Sequence, residues 1–71
     1  MPEPVITEIR KLSVIAIDMD LPGSMRSGAI KNMGNIGTRD ALLALLDLAA
    51  NEKLNAGERK LALKQADRII K

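Results

Sequence analysis

The feature that most constrains this chain is an internal repeat. Sliding the sequence along itself by 33 residues, without a gap, lays Leu12 on Leu45, Ala16 on Ala49, Leu21 on Leu54, Arg26 on Arg59, Ala29 on Ala62, Lys31 on Lys64 and Ile36 on Ile69. Near-equivalents fall between them: Ile9 on Leu42, Ile15 on Leu48, Asp18 on Asn51, Ile30 on Leu63 and Asn32 on Gln65. A self-similarity of this period is the mark of one supersecondary unit used twice. Whatever the second copy folds into, the first is then expected to fold into as well.

The second copy is the easier to interpret. Thr38 is a good N-cap, and Asp40 falls in the first turn, where a carboxylate complements the helix dipole. They open a strong helix, Ala41 to Ala50, that is apolar nearly all round and interrupted only by Asp47. Such a helix is expected at the centre of a fold, with neighbours on several sides and Asp47 exposed. Asn51 to Gly57 reads as a turn, and Glu58 to Ile70 as an amphipathic helix. Its spacing puts Ala62, Leu63, Ala66, Ile69 and Ile70 on one face and Lys60, Lys64 and Arg68 on another.

Carried back one period, this settles an ambiguous stretch, Val14 to Ser24 (VIAIDMDLPGS). Taken alone, it could be a buried strand delivering Asp18 and Asp20 to a phosphoryl-transfer site, or the end of a helix. The repeat lays Val14 to Ile17 over a helical segment and the following residues over a turn. The β-propensity of the run points the other way, but Ile9, Leu12, Ile15 and Met19 keep helical spacing. Pro4 near the first helical position and Pro22 beyond the last fit the ends of that helix. The expected fold is therefore all-α: four helices, at about 4–18, 24–35, 38–51 and 56–71. They form two helix-turn-helix units, about 4–37 and 38–71, in one domain spanning 1–71. The expected arrangement is a short, right-handed α-α solenoid compact enough to resemble a four-helix bundle.

Composition narrows the chemistry. The chain has no Cys, His, Phe, Tyr or Trp, so aliphatic side chains supply the whole core. Thiolate and imidazole metal sites, a disulfide scaffold and the commonest general base are all excluded. A net charge of +2 is mild for a nucleic-acid binder and far from a polybasic membrane anchor. The first residues lack a basic stretch followed by an apolar core, and the early apolar run Val14 to Ile17 is too short to span a bilayer. An intracellular, cytoplasmic protein is expected.

Residues 20 to 38 carry a more specific pattern: a loop Asp20, an apolar-Arg pair at Met25-Arg26, Ala29-Ile30, Met33-Gly34, and Ile36-Gly37. In this order they resemble the HEAT-like repeats of the bilin-lyase type. The second copy keeps Arg59, Ala62, Leu63, Ala66 and Ile69 but has Lys53 in place of the Asp and no glycine pair. Terminal repeats commonly diverge in this way. The resemblance implies a binding or scaffold module that presents a helix-lined surface to another macromolecule, without catalysis; no metal or cofactor is expected.

Three motifs bear on function. Asp18-Met19-Asp20 matches a phosphotransferase DxD, but that chemistry needs a parallel sheet, a Lys and a further acidic pair around a metal. A chain of 71 residues with one candidate strand cannot build it. The expected role is a turn after the first helix, with Asp20 supporting Arg26. Gly34-Asn35-Ile36-Gly37 matches a backbone-clamping GxxG, but no flanking sheet or basic residue accompanies it. Both glycines are expected to close one helix and turn the chain into the next. Lys60, Lys64, Arg68 and Lys71 form a basic stripe, beside which the repeat places Ser27, Lys31 and Asn35 on the neighbouring helix. The candidate partner-binding residues are Lys31, Asn35, Lys60, Lys64 and Arg68, with Asn32 and Gln65 expected to repeat beside the lysines. The expected partner is another protein, and self-association is open. Structured RNA, DNA or a ribonucleoprotein is the alternative, since no aromatic is available to stack single-stranded bases.

Overall fold

A computed structural model of the chain describes residues 5–71, with side chains described from Thr7 onward. It contains four α-helices: α1 (Val5–Ile17), α2 (Gly23–Ile36), α3 (Arg39–Ala49) and α4 (Ala56–Ile70). The expected boundaries hold to within two residues, and no strand occurs among the described residues. Val14 to Ile17 is helical, so the β-propensity of that run is overridden. Pro4 lies outside the described residues.

The helix ends follow from short-range chemistry. Thr38 caps α3 through its hydroxyl, which accepts from the Ala41 N–H at 3.2 Å. Asn55 caps α4 in a reciprocal box: its Oδ1 accepts from the Glu58 N–H at 2.8 Å, and Glu58 Oε1 accepts from the Asn55 N–H at 3.3 Å. Pro22 stands immediately before α2, where its missing N–H costs nothing. Gly37 ends α2 in the left-handed region, φ 71°, its N–H bonded to the Met33 carbonyl. A side chain is disfavoured in that conformation. Gly34, by contrast, is inside α2 and does not close it. Its role is packing, taken up below.

The repeat recurs in the backbone. After α1, the Asp18 N–H bonds Ile15 O, the Leu21 N–H bonds Asp18 O, and Asp18 Oδ1 accepts from the Asp20 N–H. After α3, Asn51, Leu54 and Lys53 make the corresponding three bonds, to Leu48 O, Asn51 O and Asn51 Oδ1. Each pair of bonds is offset by the sequence period of 33. Asp18 and Asn51 serve equally because the turn needs only a short side-chain acceptor.

Helices α1 and α2 pack as one hairpin and α3 and α4 as another. The hairpins meet through α2 against both α3 and α4, and through α1 against α3, whereas α1 and α4 are not neighbours. The core joins all four helices: Ile9 and Ala16 of α1, Ile30 and Met33 of α2, Leu45 and Leu48 of α3, Ala62 and Ala66 of α4. Ile30, Met33 and Leu45 are the largest fully buried side chains. Full burial of one such side chain is worth about 1.5–3 kcal/mol.

Two expectations about apolar faces require correction. Helix α3 has the expected neighbours on several sides, touching the other three helices, and Asp47 is exposed, but its apolar surface is not enclosed: Leu43 and Leu46 are 50% and 39% exposed. On α4, Ala62 and Ala66 are buried as expected, but Leu63 and Ile70 point outward, at 55% and 66% exposure. Leu61 and Ile69 pack against the core. The cause is the angular position of the neighbours. Helix α3 lies over the Ala62–Ala66 side of α4 and α2 over the Gln65–Glu58 side, so the remaining arc, on which Leu63 and Ile70 fall, has no helix opposite it.

Candidate functional site

The candidate surface is built across α2 and α4, and two contacts fix how these helices meet. The first is an ion pair: Arg26 Nε donates to Glu58 Oε2 at 2.8 Å, with both side chains nearly buried. Arg26 Nη1 also donates to the carbonyls of Leu21 and Asp18. One guanidinium thus ties the turn after α1 to the first turn of α4, and Glu58 serves both this pair and the capping box. Asp20, expected to support Arg26, is exposed and does not pair with it; the carboxylate comes from the other hairpin. The buried pair is worth little net, but removing either member strands a charge.

The second contact is steric. A Cβ on Gly34 would lie 2.0 Å from Gln65 Oε1 and 3.0 Å from Gln65 Cβ, so only glycine lets α4 come this close. Gln65 is buried against this gap, and its Oε1 accepts from Arg68 Nη1 at 3.0 Å. The expected repetition of Asn32 by Gln65 is therefore absent from the surface: Asn32 is exposed and Gln65 is not.

All five candidate residues, Lys31, Asn35, Lys60, Lys64 and Arg68, are exposed. The Gly34–Gln65 seam orders them. Helical geometry sets Lys31 and Asn35 on the α2 flank of the seam and Lys64 and Arg68 on the α4 flank, with Lys60 further round α4. Lys71 bonds Asp67 at 3.1 Å, an exposed pair one turn apart that leaves Lys60 and Lys64 unneutralised by that carboxylate.

Beyond Lys60 and Lys64 the surface changes character. A groove of about 590 Å³ runs between α3 and α4, walled by Leu46, Leu63 and Ile70 and edged by Lys60, Lys64 and Asp67. These three apolar residues were absent from the candidate set because Leu63 and Ile70 fit a buried face by spacing alone. One signal was available: α3 carries more leucines than a single buried stripe can use. Among the described residues, no group of three His, Cys, Asp or Glu could hold a metal ion, and no helix is long and apolar enough to cross a membrane.

Comparison with protein-family models, with curated proteins and with solved structures finds no match in any of the three.

Proposed function

We propose that this chain is a small HEAT-like binding or scaffold module that engages a protein partner through the α2–α4 face and performs no catalysis. The observation that carries the reading is the pairing of a rigid seam with a one-signed rim. Arg26–Glu58 and Gly34–Gln65 hold α2 and α4 in close register, and Lys31, Lys64 and Arg68 flank them, with Lys60 further round α4. A preorganised cationic face favours acidic segments and loses little entropy on binding. A cytoplasmic setting belongs to the same proposal, since a fold that uses no cysteine needs no oxidising compartment.

The test is capture of host proteins on the immobilised chain, compared with a Lys31→Glu, Lys64→Glu variant that leaves Lys60, further round α4 from the seam, unchanged. Arg68 is left intact because it is bonded to Gln65 inside the seam. Loss of the captured set with an unchanged melting temperature is expected; retention of the set would remove the basic face from the mechanism. The alternative, docking on structured nucleic acid, is separated by salt. A duplex-DNA affinity falling with a log-log slope of about −0.9 per neutralised phosphate would favour it over a protein partner.

A further inference from the structure

The outward stripe of α4 reads Lys60, Leu63, Asp67, Ile70, spaced three, four and three residues apart. That is the seam spacing of a helix that packs lengthwise against another helix. The equivalent of Leu63 in the first hairpin is Ile30, which is 0% exposed because the second hairpin covers it. This side of a hairpin is thus the one on which a further helical element sits, and in the second hairpin it is bare.

Continuing the same stack with the next chain does not fit. Asp67 occupies the place of Gly34, so the close approach made there by Gln65 is blocked. Met25 occupies the place of Glu58, so Arg59 would meet no carboxylate in the arriving hairpin. Arg59 instead donates to the Ala49 carbonyl.

An antiparallel approach of two α4 helices about a two-fold axis beside Leu63 does fit. It sets Leu63 against its own copy and Lys60 against Asp67 of the second chain, twice by symmetry, so that Asp67, paired within its own chain with the exposed Lys71, is shared between the two lysines. It also sets Ile70 against Ala56 and Gly57, small residues beside a hollow of about 340 Å³ lined by Ala49, Ala56, Arg59, Lys60 and Leu63. We propose that the exposed α3–α4 face binds a second copy of this chain, forming a two-fold dimer through antiparallel α4 helices. The proposal does not depend on the α2–α4 partner face; its readout is oligomeric state, whereas that of the partner face is capture.

The face is about 22 Å long and two helices wide, roughly 450 Å² per copy. That is about half the area of a standard interface, the size of a weak, transient contact. Sedimentation velocity on the full chain from about 5 µM to 1 mM should show monomer passing to dimer and nothing larger. Leu63→Asp should weaken the dimer at least about 100-fold, as an anchor at the centre of an interface does, with unchanged helix content and melting temperature. Lys60→Asp and Asp67→Lys should each weaken it about tenfold, by placing like charges opposite one another, while the double swap restores it to within about threefold of the parent. Monomer throughout the range, growth beyond two copies, a dimer indifferent to Leu63→Asp, or a double swap that fails to restore binding would each overturn the proposal.

Discussion

Glu58 concentrates more of this fold in one side chain than any other residue. Its Oε1 closes the α4 capping box and its Oε2 accepts from Arg26, which in turn holds two carbonyls of the α1–α2 turn. Glu58→Ala removes a cap and leaves a nearly buried guanidinium without its counter-charge, so a loss of about 3 kcal/mol is expected in urea unfolding. Glu58→Gln keeps only one acceptor oxygen, enough for the cap or for Arg26 but not for both, and turns a donor NH2 toward the other donor, so it should lose nearly as much, about 2–3 kcal/mol. A loss in Glu58→Ala no larger than in Asp67→Ala, whose pair with Lys71 is exposed, would show that Arg26 is satisfied by the carbonyls alone. Gly34 offers a second test, because two effects of opposite sign act there. In the interior of a helix Ala is favoured over Gly by about 1 kcal/mol. Here the added Cβ meets Gln65, whose own Cβ is 3.0 Å away and cannot swing aside. Gly34→Ala should therefore destabilise the chain by about 1–3 kcal/mol, and by much less in a Gln65→Gly background, which removes that Cβ, a coupling of about 1 kcal/mol or more in a double-mutant cycle.

At the scale of elements, the four helices were legible because the repeat made each ambiguous segment answer to a clearer one. VIAI is helical for the same reason that the Asp47 to Ala49 segment is, and the two turns share their hydrogen bonds bond for bond. The facing of the helices was less legible. Periodicity says that α4 has one apolar arc, about 100° wide, holding Ala62, Ala66, Ile70 and Leu63, and only the positions of α2 and α3 decide which part of it is covered. The Arg26–Glu58 pair was hidden for a related reason. The repeat lays Glu58 on Met25, so an alignment of the two copies contains no trace of a contact between them. The Asn55-x-x-Glu58 box lies where the sequence reads only as a turn from Asn51 to Gly57, and its spacing carries no sign of the second use of its carboxylate. A leucine scan of α3 reads out the facing directly. Leu45→Ala, at a fully buried site, should lose about 2–5 kcal/mol, while Leu43→Ala and Asp47→Ala, both exposed, should each lose under about 0.5 kcal/mol. A severe loss at Leu43 would mean that its face is already covered within the folded chain.

For the whole molecule, the question is whether two similar hairpins make one cooperative unit or two. Ile30 and Met33 of α2 are sealed only where α3 and α4 arrive, and α4 in turn is anchored to the first hairpin at Glu58 and Gln65. Neither hairpin buries its own apolar side unaided. Chains below about 40 residues seldom fold without a disulfide, metal or partner, and each hairpin falls below that length. The full chain should then unfold in a single transition, with the helix signal and a probe placed in either hairpin giving the same midpoint. A peptide of residues 38–71 keeps the Thr38 cap, the Asn55–Glu58 box and all of α3 and α4, yet lacks the α2 surface against which Glu58 and Gln65 are buried. Its far-UV circular dichroism should show only a small fraction of the helix present in the parent, rising when a peptide of residues 1–37 is added. Full helicity in the isolated peptide would mean that local caps and the α3–α4 contact suffice, and that the Arg26–Glu58 and Gly34–Gln65 contacts align two finished hairpins instead of completing one core.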